Sequence, residues 1–118
     1  MADELSVSYS LSYTKGNDAA PPVSDSFTLD VSGTARSGPV QQIPVSGEAI
    51  VLGEVTTIGV VVVKNLDATN FITCGLDSGN QMIKIKAGES YPFRLNGNTL
   101  IAMADTAAVW ASVVIYSD

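Results

Sequence analysis

An all-β fold, a jelly-roll or Greek-key β-sandwich of about eight strands, is what this chain predicts. Three observations carry that expectation. From Glu54 to Asp118 one short strand-like run follows another: TTIGVVVVKNL, NFITCGL, QMIKIKAG, YPFRLNGN, TLIAMAD and VWASVVIYSD. Their spacing of about 8–12 residues, with a turn signal between each pair, marks a sandwich or barrel. Near the N-terminus LSVSYSLSY alternates apolar and polar residues as a strand with one wet side does. Finally, no interval between turn signals carries the spacing of an amphipathic helix, and EAIVL is bracketed too tightly by Gly47 and Gly53 to form one.

In chain order, residues 5–13 place Leu5, Val7, Tyr9, Leu11 and Tyr13 on one face and serines on the other. TKGNDAAPP, residues 14–22, reads as a loop, since Lys-Gly-Asn-Asp offers turn conformations and Pro21-Pro22 cannot donate to a ladder. SFTLDVSG alternates again, with Phe27, Leu29 and Val31 inward and Thr28, Asp30 and Ser32 outward. TARSGPV, residues 34–40, reads as a second loop. Pro44 confines QQIPVSG to an edge or a short strand, and residues 48–55 form a brief strand that Gly53 bends.

The second half changes character. Val60 to Val63 are apolar on both faces, which suits a central strand covered on both sides. KNLDATN is a polar connection, and DSGN at 77–80 turns the chain into QMIKIK, where Ile83 and Ile85 point in while Lys84 and Lys86 point out. AGES leads into YPFRL, and NGN at 96–98 is the best hairpin signal, because Asn-Gly favours the primed turns that match strand twist. TLIAMAD and VWASVVIYSD are separated by Asp-Thr-Ala-Ala. In the last strand Val109, Ala111, Val113 and Ile115 share one side, while Trp110, Val114 and Tyr116 share the other. One side serves the core. The other requires a cover, which makes Trp110, Val114 and Tyr116 the candidate interface.

With 118 residues the chain has the length of one domain, expected to span 1–118. Charged residues make up 15% against a usual value of roughly 25%, and 46% of residues are hydrophobic. Such a surface suits an obligate oligomer or a component of a larger assembly. Six basic residues against twelve acidic ones give a net charge of −6, so phosphate backbones are unfavourable partners. The start, MADELSVSYS, lacks the pattern of a signal peptide, and no apolar run approaches the roughly 20 residues of a membrane span. Synthesis in a cytoplasm, with no membrane partner, is the expectation.

Chemistry is sparse. There is no histidine, and the one cysteine, Cys74, sits in a strand as a small hydrophobe with no base to activate it. Asp67 with Asn70 and Asp77 with Asn80 offer oxygen ligands near turns, but calcium wants about six oxygens and the same residues cap tight turns unaided. Glycoside hydrolysis would need a facing carboxylate pair, which spacing does not define. None of the ten glycines forms a phosphate-binding pattern. The expectation is a protein with no cofactor, no metal and no catalytic residue.

GEVTTIGVVVVKNLDATNFITCG, followed by IKIKAGESYPFRLNGNTLIAMADTAAVWASVVIYSD, resembles the small jelly-roll proteins encoded among the structural genes of tailed bacteriophages. The likeness runs from Gly53 to Asp118, a little over half the chain. It lies in the order of turns and strands, so it transfers no functional residue. It implies a virion protein made in the host cytoplasm and carried on the outer surface of the phage head. There it would act as a capsid decoration or cement protein, a homotrimer bound to the major capsid protein. Two alternatives stay open: a tail, fibre, baseplate or head–tail joining module, and a carbohydrate-binding module for host recognition.

Overall fold

The computed structural model describes residues 4–31, 36–38 and 40–117. Among these the regular elements are all strands, and every strand pair is antiparallel. The chain divides into two compact units, residues 1–31 and 32–118. Among the described residues the first two strands pair only with each other.

The first unit is a long hairpin of β1 (Leu5–Lys15) and β2 (Asp18–Leu29). Lys15 faces Asp18 across the two-residue turn Gly16-Asn17, and Gly16 takes φ 58°, a conformation glycine adopts without steric penalty. The expected loop over 14–22 is thus a tight turn followed by strand, with Pro21 and Pro22 inside β2. The register explains how: Leu11 faces Val23 and Tyr13 faces Ala20, so the prolines fall in a bulge where the ladder is interrupted. β2 also has a partner on one side only, the setting in which a strand proline is tolerated. Ser32, expected to point outward, lies outside the described residues.

The second unit is a β-sandwich. One sheet contains β3 (Arg36–Ser37), β4 (Val40–Ile43), β6 (Ile58–Asn65), β9 (Ser90–Arg94) and β11 (Val109–Ser117), in the order β3-β11-β6-β9 with β4 also on β11. The other contains β5 (Glu48–Ala49), β7 (Ile72–Gly75), β8 (Gln81–Ile85) and β10 (Ile101–Ala104), in the order β5-β10-β7-β8. The expected loop at 34–40 holds β3 and the start of β4; Thr34, Ala35 and Pro39 lie outside the described residues. β4 stops before Pro44, as the ring demands.

Between the sheets lies one apolar core. Ile43, Val61, Val63, Val109, Ala111, Val113 and Ile115 enter it from the first sheet, and Ile72, Cys74, Ile85, Ala102 and Ala104 from the second. β6 is central, flanked by β11 and β9, and its Val60 is buried as well as Val61 and Val63. Gly75 marks the closest backbone approach. A β-carbon there would lie 1.7 Å from the carbonyl oxygen of Asn80, at the bulge where β7 and β8 change register.

The hairpin expected at NGN is a crossing between sheets instead, and so is the turn that follows β10. NGN at 96–98 joins β9 to β10, and Asp-Thr-Ala-Ala joins β10 to β11, yet neither pair is hydrogen-bonded. Leu95 N–H donates to Gly59 in one sheet while Leu100 accepts from Ile50 beside the other, so the ends of the NGN segment are drawn apart. The DSGN turn does close a true hairpin, β7 with β8.

Candidate interaction site

The alternation of β11 determines which side chains face out. Val109, Ala111, Val113, Ile115 and Ser117 are buried, so Trp110, Ser112, Val114 and Tyr116 project from the opposite face of the sheet. Val114 and Tyr116 are half-buried and Trp110 is 53% exposed. The partners of these residues extend the same face: Val62 lies opposite Val114, Val40 opposite Ser112, and Pro92 opposite Val62. Val40 is itself 58% exposed. The three candidate residues therefore stand together on the outside of the five-stranded sheet, on a face they share with the apolar Val40, Val62 and Pro92 and with the polar Gln42, Lys64 and Ser112. Trp110 does not pack between the sheets of the sandwich.

A second apolar face lies on the hairpin, and sequence reading assigned it to the core. Register places Leu5 opposite Leu29, Val7 opposite Phe27, Tyr9 opposite Asp25 and Leu11 opposite Val23. The other face pairs Ser6 with Thr28, Ser8 with Ser26 and Ser10 with Ser24. One face is thus almost wholly apolar and the other wholly hydroxyl. Phe27, expected inward, is 45% exposed, and Leu11 is 64% exposed. The alternation was visible in the sequence; what it could not show is that among the described residues no third strand joins this pair.

The turn carboxylates are occupied by their own backbone. Asp67 Oδ2 accepts from the N–H groups of Asn70 at 2.7 Å and Thr69 at 3.1 Å. These bonds, that to Asn70 foremost, hold its pKa below the ordinary 3.8 by stabilising the charged form. Asp77 Oδ1 accepts from the Gly79 N–H at 2.8 Å and from the Asn80 side chain at 2.9 Å. Both are Asx turns, the capping role weighed against calcium. Among the described residues no three His, Cys, Asp or Glu side chains form a group that could hold a metal. Burial pushes the Cys74 thiol up to about 12, far from a working nucleophile. Tyr91 donates to Glu89 at 3.1 Å, which raises its pKa.

One polar group carries more structure than its sequence context suggested. Asn65 is fully buried at the end of β6. Its amide donates to the carbonyls of Asn70 at 2.8 Å and Ile85 at 3.0 Å, and its Oδ1 accepts from the Asp67 N–H at 2.8 Å. Its backbone meets Glu89 and Gly88. Asn65 thereby ties together the two connections, β6 to β7 and β8 to β9, that carry the chain between sheets. Gln41 acts similarly, donating to Ala49 and accepting from Val51. Lys84 and Lys86 are exposed as expected, and the Lys84 ammonium stands 4.2 Å from the centre of the Phe71 ring.

Comparison of the chain with protein-family models, curated proteins and solved structures gives no match.

Proposed function

We propose that this chain is a structural protein of a tailed-phage virion, a head decoration (cement) protein that binds major-capsid subunits and acts without catalysis. The observation that carries the binding half of this reading is the apolar strip of Trp110, Val114 and Tyr116 on a sheet face that points away from the core. The phage half rests on the resemblance of residues 53–118. Strand order adds support. Taken as eight strands B to I in chain order, with β3 and β4 together as B, the sheets run B-I-D-G and C-H-E-F, the arrangement of a jelly roll.

The mechanism is additive. Each copy buries apolar surface against the shell at about 25 cal/mol per Å², less the cost of association. Many copies then oppose the outward pressure of packaged DNA. The non-enzymatic part is supported by carboxylates already engaged in turns and a thiol buried in the core. Particles assembled without the protein should form but release DNA at lower temperature, and adding the purified chain back should restore their resistance. Equal heat resistance with and without it would remove the cement role and favour the tail, fibre, baseplate or joining module.

A second reading has one observation in its favour. An exposed tryptophan on a flat sheet, with Tyr116 on the same face, is also how a glycan platform presents its aromatic rings. Quenching or a shift of Trp110 fluorescence on titration with host-surface glycans would support it, and a flat titration would exclude it.

A further inference from the structure

A two-stranded hairpin is at best marginally stable alone, yet β1 and β2 run for 11 and 12 residues with both faces open. The apolar face presents Tyr9, Leu11, Tyr13, Val23 and Phe27, each at least 44% exposed. The sandwich has the matching deficit, the strip along Val40, Val62, Trp110, Val114 and Tyr116. The hairpin's apolar face holds Asp25 at mid-length and the Lys15–Asp18 pair at its tip, and the central strand of the sheet presents Lys64 on the same side as Val62, where it can meet Asp25.

We propose that the hairpin is an exchange arm, whose apolar face docks on the outer face of the five-stranded sheet of a second copy of this chain. Length and area point to that occupant. The face measures about 36 by 10 Å, so one docked arm covers on the order of 750 Å² counted over both partners. In a reciprocal pair each copy gives one arm and receives the other's, so the two docked arms together bury about 1,500 Å² counted over both partners, the size of a specific interface. Only four residues, 32–35, separate the described end of the hairpin unit at Val31 from β3 at the sheet's edge. A hinge of four residues is short, and short hinges favour exchange between copies. Arm and receiving face are different surfaces, so reciprocal exchange makes two equivalent arm–face contacts related by a two-fold axis. The inference deepens the self-association part of the proposed function and is independent of any capsid.

The test uses purified full-length protein and sedimentation velocity over a concentration series. Wild type should be oligomeric. Phe27→Asp, which spoils the arm, and Val114→Arg, which spoils the receiving face, should each weaken association at least roughly tenfold. Circular dichroism melting of the sandwich shows that each variant is folded, and Leu11→Asp replaces Phe27→Asp, or Trp110→Asp replaces Val114→Arg, if one is not. The deciding measurement is a mixture. Phe27→Asp keeps an intact face and Val114→Arg an intact arm, so together they should form a dimer that neither forms alone. A monomeric wild type, oligomers indifferent to both variants, or a mixture that stays monomeric would overturn the proposal. Association lost in only one of the two variants would likewise overturn it and indicate a symmetric arm–arm or sheet–sheet contact. Failure here leaves capsid binding standing, since that is read separately on particles.

Discussion

Replacing Asn65 by alanine should be the most damaging single polar change in the sandwich. The side chain is fully buried and makes three hydrogen bonds, two donated and one accepted. Each such bond is worth about 1 kcal/mol net, and the Asp67 N–H and the carbonyls of Asn70 and Ile85 would be left without that partner in or near the core. A loss of about 3–4 kcal/mol follows. Against a total stability of about 5–15 kcal/mol this removes a large share, and for a unit of this size it lowers Tm by about 15–25 °C. Urea unfolding followed by far-ultraviolet circular dichroism measures it directly. Lys64→Ala, exposed on the next position, serves as the control and should stay within about 0.5 kcal/mol. Amide exchange at Asp67 should accelerate in the Asn65 variant. A loss below 1 kcal/mol, with Asp67 exchange unchanged, would show that Asn65 is not the clamp between the two crossings.

Gly75→Ala should destabilise by about 3 kcal/mol, because the nearest atoms to the new methyl are backbone atoms of Asn80 and Gln81 that cannot rotate away; Gly79→Ala, where the nearest atom lies at 3.4 Å, should be nearly neutral, and equal midpoints in urea would refute the contrast. Trp110→Ala should cost only about 1–2 kcal/mol in the isolated monomer, since the ring is half exposed, and a loss of 4 kcal/mol there would mean the ring is covered within one chain. Cys74 should resist a thiol reagent at pH 8 until the protein unfolds. Its pKa is raised from 9.0 to about 12 in the fold, so its contribution to stability is complete below pH 9 and declines as pH rises toward 12; rapid labelling under native conditions would contradict this. Asp67 has the opposite sign. Its folded pKa lies below 3.8, so its share of stability is present above that pH and is lost as pH falls through the folded value, and a carboxyl titration by nuclear magnetic resonance with a midpoint at or above 3.8 would refute it.

What the sequence revealed and what it concealed follow from the range of the interactions involved. Strand identity was legible because alternation is local: the faces of β11, β6 and β8 read off the residues as they stand. The turn at DSGN was legible for the same reason, since Asp77 caps its own backbone. Pairing was not. Asn-Gly at 96–97 carries a strong hairpin signal, but whether its flanks pair depends on Gly59 and Ile50, some 40 residues away, capturing them first. Pro21-Pro22 misled in the other direction, because a proline rule that holds for an interior ladder is relaxed at a bulge on a strand with one neighbour. Asn65 gave no sign at all. At the start of a polar-looking KNLDATN connection it resembles a surface residue until the two crossings are brought together around it.

The candidate interface shows the same division, and its meaning lies in the contrast between the two halves of the chain. Burying Val109, Ala111, Val113 and Ile115 fully satisfies the demand that hydrophobic burial places on β11. Nothing in the stability of the sandwich requires that Trp110, Val114 and Tyr116 also be apolar, and serines, like those on the far face of β1, would serve a solvated surface better. The hairpin shows that this chain does use serine where a face is to stay wet: Ser6, Ser8 and Ser10 alternate with Val7, Tyr9 and Leu11 without exception. That a tryptophan, a tyrosine and valines nonetheless stand on the outside of the five-stranded sheet is the ground on which we propose this face as a contact for another molecule. The stability cost of a polar replacement there should be small and the cost to assembly large.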